Sequence, residues 1–136
     1  MTDIELMQLA EEARKHSYCP YSRFAVGAAL LTKSGKVYTG CNIENASYTP
    51  TICAERTAVF KAVSEGEREF AAIAVIGAPE EEKGRFCAPC GVCRQVLREF
   101  CEPAFRILLG NVDEVQAYTL AELLPTSFGS SDLKGE

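Results

Sequence analysis

The stretch that sets the fold is "FAVGAALLTKSGKVYTGCN", residues 24–42. Two apolar runs, FAVGAALLT and VYTGCN, flank the polar turn KSGK, a pattern that predicts two antiparallel strands joined as a β-hairpin. A third run, "AAIAVIGA" at residues 71–78, is apolar throughout, which is typical of a central strand covered on both faces. The three segments together predict a sheet with a buried middle strand.

Helices and two further strands are predicted around this sheet. Thr2 and Glu5 have the spacing of a capping box, and apolar residues recur at helical spacing after them to about residue 16. Three more helices are predicted, over about 52–64, after Pro89 and after Thr119, while "FRILLG" and "VQAYT" read as strands and "TSFGSSDLKGE" as a polar tail. This order predicts an α/β fold, one mixed sheet with helices packed on it, in a single domain over residues 1–136.

Composition narrows the class of protein. The 136 residues carry a net charge of −5, from 14 basic and 19 acidic residues, and no basic run suggests a nucleic-acid interface. No apolar stretch is long enough to cross a bilayer, and "MTDIELMQLAEEARK" is acidic and amphipathic, unlike an export signal. We therefore expect a cytoplasmic protein with neither nucleic acid nor membrane as a partner.

The seven cysteines include a group typical of metal sites. In a reducing compartment, clustered cysteines more often bind metal or do chemistry than form disulfides. Cys90 and Cys93 form a C-x-x-C, which alone fits a redox dithiol, half a zinc site or two core residues. Cys53 adds a third thiol at the predicted start of another helix, and helix N-termini favour the thiolate form. Three thiolates predict a catalytic zinc site whose fourth position is open to water.

Two residues beside Cys53 fit such a site. Zinc can lower the pKa of a bound water to about 7, and Glu55 stands where it can carry the protons. Arg56 lies three residues after Cys53 and so shares its helix face. We expect its guanidinium to donate hydrogen bonds to sulfur and to draw off the negative charge of three thiolates.

A closed four-cysteine zinc site, with Cys87 as the fourth ligand, is the structural alternative. Such sites usually draw on two separate C-x-x-C pairs, and the sequence has no second pair of that kind. Glu55 and Arg56 would also have no reason to flank the metal. The sequence therefore favours the catalytic site, with Cys87 as a free thiol beside it.

Three blocks of sequence together resemble a known family. They are "PYSRFAVGAALLTKSGKVYTGCNIENASY", "CAERTAVFKAVSEG" and "CGVCRQV". They resemble the small homotetrameric cytidine deaminases of bacteria, which belong to the zinc-dependent nucleoside and base deaminases. The likeness runs from about Tyr18 to "LLPTSF", and it implies a three-layer α/β/α sandwich with one mixed five-stranded sheet. Two features depart from the family pattern: the cysteine at position 87, and the sequence "YTPTIC", which ends on the first motif cysteine, Cys53.

The resemblance also implies a reaction. Cys53, Cys90 and Cys93 would bind one Zn²⁺ per chain, and Glu55 would shuttle protons. Zinc-bound hydroxide would attack C4 of cytidine or 2′-deoxycytidine, giving uridine or 2′-deoxyuridine plus ammonia in pyrimidine salvage. The substrate would therefore be a small nucleoside, bound in a homotetramer whose sites are shared between subunits.

The same resemblance implies the residues that would bind the nucleoside. Asn42 and Glu44 would hold the ribose hydroxyls, and the Ala54 backbone would contact the base. Three aromatic side chains would complete the pocket: Phe24 against the pyrimidine ring, Tyr48 in a shared wall, and Phe128 over a neighbouring subunit's substrate. From the residues alone, Asn42 and Glu44 could instead end a strand and bond backbone, Phe24 could be core, and Phe128 could pack on its own domain.

Three other functions remain open at this point. Deamination of bases in nucleic acid shares the motif, but the acidic charge argues against it. An antibiotic deaminase also shares it, although Asn42 and Glu44 favour a plain ribose. A non-enzymatic zinc-stabilised module would show metal-dependent folding and no turnover.

Overall fold

The computed structural model describes residues 1–135 and contains one five-stranded sheet. Its strands are β1 (Phe24–Thr32), β2 (Val37–Cys41), β3 (Phe70–Pro79), β4 (Arg106–Gly110) and β5 (Val115–Thr119). They lie in the order β2-β1-β3-β4-β5, with β3 and β4 parallel and the other neighbours antiparallel. The α/β fold with one mixed five-stranded sheet is therefore confirmed.

Helices cover both faces of the sheet, as the sandwich architecture requires. They are α1 (Asp3–Ala13), α2 (Ala54–Ser64), α3 (Gly91–Phe100), α4 (Leu120–Leu123) and α5 (Ser130–Lys134), with a 3₁₀ turn over Arg14–His16. Leu6, Met7 and Ala10 of α1 pack on one face, whereas α2 and α3 pack on the other. Within residues 1–135, none of these helices combines the length and apolar composition needed to cross a membrane.

Two predictions about helices differ from the structure, one about where a helix begins and one about a segment predicted to contain no helix. The helix predicted from about residue 52 begins at Ala54, because Ile52 pairs with Ile43 in an isolated β-bridge. The polar tail contains the short helix α5, where Asp132 accepts a hydrogen bond from the Gly129 backbone N–H at 2.8 Å. A local capping interaction therefore stabilises a helix in a segment whose polar composition alone indicated no secondary structure.

The alternation of side chains along β1 and β3 decides what faces α2 and α3. Ala28 belongs to the core on that side, whereas Ala29 belongs to the core under α1. Because side chains alternate between faces, Phe24 and Val26 of β1 lie on the same side as Ala28. On β3, which pairs with β1, Gly77 lies opposite Val26. This end of the two strands forms the floor on which the candidate site is built.

Candidate metal centre and active site

Three thiols converge where α2 and α3 begin. Cys53 is the residue immediately before α2, Cys90 immediately precedes α3, and Cys93 lies in the first turn of α3. The Sγ atoms of Cys53 and Cys90 are 3.7 Å apart, those of Cys90 and Cys93 are 3.4 Å apart, and all three lie within 4.8 Å of one another. The structure thus brings together the three thiols that the sequence assigned to one metal.

The spacing of these thiols fits zinc. Tetrahedral Zn–S bonds of about 2.3 Å hold neighbouring sulfurs about 3.8 Å apart, close to the separations found here. Thiolate sulfur is also a ligand type that zinc prefers. The Cys87 thiol is not part of the group, so among residues 1–135 the cluster has three sulfurs rather than the four of a closed site.

The thiols are coupled through shared protons. A hydrogen bond from Cys93 is the largest effect that lowers the pKa of Cys53, helped by Arg56 and Cys90. The same bond, together with burial, raises the pKa of Cys93 well above that of an ordinary thiol. One thiolate is therefore stabilised even without a metal, and a bound cation would have to displace the proton held between the others.

Arg56 is aimed at this cluster. Its Nη2 donates to the Cys53 Sγ at 3.3 Å. Burial opposes its charge, but hydrogen bonds to the thiols of Cys53 and Cys93 raise its pKa above the usual guanidinium value. The Arg56 Nε is buried and has no acceptor among residues 1–135. A permanent positive charge thus lies beside the sulfurs, as the i+3 spacing predicted.

Glu55 points its carboxyl into an apolar environment next to the thiols. Its side chain is 4% exposed, and burial raises its pKa to about 7, with the negative charge of Cys53 adding to the effect. An acid with a pKa near neutrality can both accept and donate a proton at physiological pH. The position of Glu55 is therefore suited to proton transfer.

A cavity of about 200 Å³ opens onto Glu55 and two of the thiols. Its lining is mostly apolar, and Asn42 adds an amide group to it. The lining residues are Val26, Asn42, Thr51, Ile52, Cys53, Ala54, Glu55, Cys87, Ala88 and Cys90. Val26 was not predicted as a site residue, although it lies two residues after Phe24 and therefore on the same face of β1. The sequence also gave no reason to place Cys87 in the wall of a pocket.

A second cavity, of about 400 Å³, adjoins the first through Thr51. Glu44 lies in its wall and accepts hydrogen bonds from the backbone N–H groups of Tyr21 and Ser22, at 3.0 and 3.1 Å, and from the Ser22 hydroxyl. The Ser22 contacts lower the pKa of Glu44, so this carboxylate is held ionised. Tyr48 also lines this cavity, with its ring edge-on to Tyr21 at 6.5 Å. Nothing in the sequence distinguished Ser22 as the group that orients Glu44.

Asn42 uses part of its amide to extend the sheet. Its Oδ1 accepts from the Val26 N–H at 2.9 Å, and its Nδ2 donates to the Phe24 carbonyl at 2.8 Å. The side chain thus bonds the backbone of β1, which is the structural role weighed from the sequence, and it lines the first cavity at the same time. One N–H of the amide remains available to a ligand.

Phe128 lies apart from both cavities of its own chain. Its side chain is 59% exposed, while its carbonyl accepts from the Gln95 Nε2 of α3 at 2.9 Å. Arg98 anchors the preceding residue by donating from Nε to the Ser127 hydroxyl at 2.9 Å. The backbone of this segment is therefore fixed on α3, whereas the aromatic ring is left to solvent.

Comparison with known proteins agrees with this geometry. The family model of the cytidine and deoxycytidylate deaminase zinc-binding region matches residues 1–108. A cytidine deaminase from Halalkalibacterium halodurans is 51% identical over 129 residues, 94% of this chain and 95% of that protein. One from Sporosarcina psychrophila is 48% identical over 133 residues, 96% and 95% of the two chains. The crystal structure of cytidine deaminase from Burkholderia pseudomallei, 49% identical, superposes with a TM-score of 0.85 over 94% of this chain and 100% of that one. The chain belongs to the family of zinc-dependent cytidine and deoxycytidylate deaminases.

Proposed function

We propose that this deaminase hydrolyses cytidine and 2′-deoxycytidine to uridine and 2′-deoxyuridine with release of ammonia. The observation that carries the proposal is the buried Glu55 carboxyl, which lies beside a three-thiol cluster in a cavity of about 200 Å³. The relatives reported above are cytidine deaminases, which supports a nucleoside substrate. In a cell, the reaction would serve pyrimidine salvage in the cytoplasm.

The chemistry is divided between the thiol cluster and Glu55. Cys53, Cys90 and Cys93 would hold a zinc ion, which would supply a Lewis acid and a bound water of lowered pKa. Glu55 would take one proton from the attacking water and deliver it to ring N3. It would then take the second proton of that water from the oxygen newly bonded to C4 and pass it to the amino group, which leaves as ammonia as the C4 carbonyl forms. Burial raises the pKa of the Glu55 carboxyl to about 7 in the metal-free protein, and a carboxyl that titrates near neutrality suits both the base and the acid role.

Arg56 would tune the cluster. Three thiolates place three negative charges in a small volume, which weakens any cation there as an electrophile. The hydrogen bond from Arg56 Nη2 to Cys53 Sγ withdraws part of that charge. Its role would be to keep the centre acidic rather than to touch the substrate.

The remaining polar groups would hold the sugar. Glu44 already accepts three hydrogen bonds, which leaves about one of its four lone-pair positions free. Asn42 has one free N–H. We therefore assign one ribose hydroxyl to each, with Ala54 against the base and Phe24 against the pyrimidine ring. This division leaves most of the binding intact when the 2′-hydroxyl is absent.

A second copy of the chain would complete the nucleoside end. Tyr48 is 74% exposed and Phe128 is 59% exposed, so the pocket has an open aromatic rim and the chain has a projecting aromatic ring. We propose a homotetramer in which Phe128 of one subunit covers the substrate of another, with Tyr48 in the shared wall.

The direct test is the ultraviolet absorbance change from cytidine to uridine. The wild-type protein is expected to turn cytidine over, whereas Glu55→Gln should lose activity by about 10³-fold and keep its zinc. Glu81→Gln, an exposed carboxyl outside both cavities, is the control and should behave as wild type. Turnover surviving in Glu55→Gln would refute the proton-transfer role. Zinc-dependent folding without any turnover of cytidine by wild type would favour the non-enzymatic module.

A further inference from the structure

Gly77 lies behind the wall of the catalytic cavity. A Cβ atom added there would meet three side chains, at 3.0 Å from Cys87 Sγ, 3.0 Å from Phe24 Cε1 and 3.1 Å from Val26 Cγ2. Gly77 stands inside the regular strand β3, so no turn requires a glycine at this position. The absence of a side chain at Gly77 therefore leaves room for these three neighbouring side chains to pack directly against the sheet.

Two of these neighbours belong to the cavity itself. Val26 and Cys87 both line it, together with Glu55. If they were pushed away from β3, they would move toward the space that the substrate would occupy. The volume available to the base thus depends on how closely the Cys87 thiol can approach Gly77.

Backbone hydrogen bonds hold Cys87 in this place. The Gly77 N–H donates to the Arg85 carbonyl at 3.2 Å, and the Arg85 N–H donates to the Gly77 carbonyl at 3.0 Å. This pair of bonds joins the chain to β3 two residues before Cys87. The backbone at Arg85 is therefore fixed against β3, and the Cys87 thiol lies over Gly77 two residues later.

The loop before Arg85 is fixed as well. Arg14, which is 7% exposed, donates from Nη1 to the Glu82 carbonyl at 3.1 Å and from Nη2 to the Ala78 carbonyl at 3.0 Å. Glu11 accepts the Gly84 N–H at 3.0 Å and also binds Arg14 at 2.6 Å. Because the backbone before Cys87 is tied to α1 and β3 in this way, a larger residue at position 77 can be accommodated only if the Cys87 and Val26 side chains move toward the cavity.

We propose that Gly77 and Cys87 act as one steric unit that sets the width of the pocket for the pyrimidine base. Cys87 is then a specificity-determining wall residue for a flat six-membered base, and Gly77 is the positioning residue behind it. The inference rests on the proposed function, since it takes the base of cytidine as the occupant of the cavity.

Gly77→Ala tests this unit. The added methyl group should displace Cys87 and Val26 into the cavity and raise KM for cytidine about tenfold, with kcat changed by less than about twofold and zinc content unchanged. Val75→Ile adds one methylene group to the same face of the same strand, in the main core. This control should lower thermal stability and leave KM unchanged.

A second substitution identifies the contact. In a Cys87→Ala background the methyl group of Gly77→Ala gains room, so the KM penalty should fall to less than about threefold relative to Cys87→Ala alone. Cys41→Ala, which removes a half-buried thiol outside the cavity, should restore nothing. Cys87→Leu fills the wall while β3 stays intact, and it should raise KM about tenfold even if Gly77→Ala does not fold.

The outcomes separate the inference from the function on which it rests. A wild-type protein without activity on cytidine would overturn the proposed function. An active wild type whose KM is unchanged in both Gly77→Ala and Cys87→Leu would overturn the steric unit alone. An equal penalty of Gly77→Ala with and without the Cys87 thiol would also overturn it.

Discussion

The two ends of the candidate site differ in how far one chain completes them. At the chemical end, Glu55 is 4% exposed, and the thiols of Cys53, Cys90 and Cys93 contact one another and Arg56. At the nucleoside end, Glu44 is oriented by hydrogen bonds, yet Tyr48 stands 74% exposed beside it. The contrast indicates that a single chain brings the thiol cluster and the buried carboxyl together but would leave a nucleoside bound at the other end only partly enclosed. Changes at the first end should therefore abolish catalysis, and changes at the second should mainly weaken binding.

The largest effect is expected from removing a cluster thiol. Cys93→Ala leaves two sulfurs, so zinc should be lost and turnover of cytidine should fall by about 10³-fold or more. Cys101→Ala is the matched control, because Cys101 is also a buried thiol but lies in the core away from the cluster. Zinc content by atomic absorption and the initial rate are the two measurements. Retained zinc with full activity in Cys93→Ala would show that this thiol is no ligand.

Removal of Arg56 should have a smaller effect at the same end. Arg56→Ala takes away the hydrogen bond to Cys53 Sγ and the neighbouring positive charge. We expect kcat to fall about 10- to 100-fold, because hydrogen bonds around metal ligands commonly contribute that much, with most of the zinc retained. Unchanged turnover at full zinc occupancy would contradict the charge-tuning role.

At the nucleoside end, loss of the proposed aromatic cover from a second subunit should act on KM. Phe128→Ala should raise KM for cytidine about tenfold with zinc unchanged, because an aromatic cover over the base is lost. Leu133→Ala removes an exposed apolar side chain from the same C-terminal segment and serves as the control. If KM is unaffected, or if the protein is active as a monomer with the same KM, Phe128 is not part of a shared site.

A prediction of a different kind concerns the pH dependence of the stability of the metal-free protein. Glu55 has its pKa raised from 4.5 in the free side chain to about 7 in the fold, so the folded state holds the proton more tightly than the unfolded state does. Its contribution to stability is complete below pH 4.5 and is lost as pH rises through 7, by about 3 kcal/mol at most. The neutral amide of Glu55→Gln does not titrate, so the variant does not lose stability in this way. The free energy of unfolding of the variant minus that of wild type should therefore increase from pH 4.5 to pH 8.

Denaturant unfolding of chelator-treated protein at pH 5 and pH 8 measures this difference. Glu81→Gln, at an exposed carboxyl, should show no such change between the two pH values. A stability difference between Glu55→Gln and wild type that is equal at both pH values would mean that burial does not perturb the Glu55 carboxyl.

Local patterns in the sequence were sufficient for the chemical end. The strands β1 to β3 follow from their apolar runs, and the thiol cluster follows from two helix starts that each carry a cysteine. Glu55 and Arg56 could be placed because their positions relative to Cys53 are set by helix geometry. These features depend on short-range spacing, which a sequence displays directly.

Contacts between distant segments could not be predicted in the same way. That Ser22 orients Glu44 and that the Cys87 thiol lies over Gly77 depends on how loops return to the sheet. The helix α5 was missed because its capping by Asp132 is a local effect inside a polar composition. The proposed enclosure of the nucleoside end would depend on a second copy of the chain, and contacts between copies are encoded neither in a local sequence pattern nor in one subunit.

The central claim is that the zinc site is built from three sulfurs and one exchangeable position beside Glu55. X-ray absorption at the zinc edge of the purified protein tests it most directly. The account predicts three sulfur neighbours at about 2.3 Å and one lighter oxygen or nitrogen neighbour at about 2.0 Å, and the lighter neighbour should change when a nucleoside analogue is added. Four sulfur neighbours, unaffected by the analogue, would contradict it.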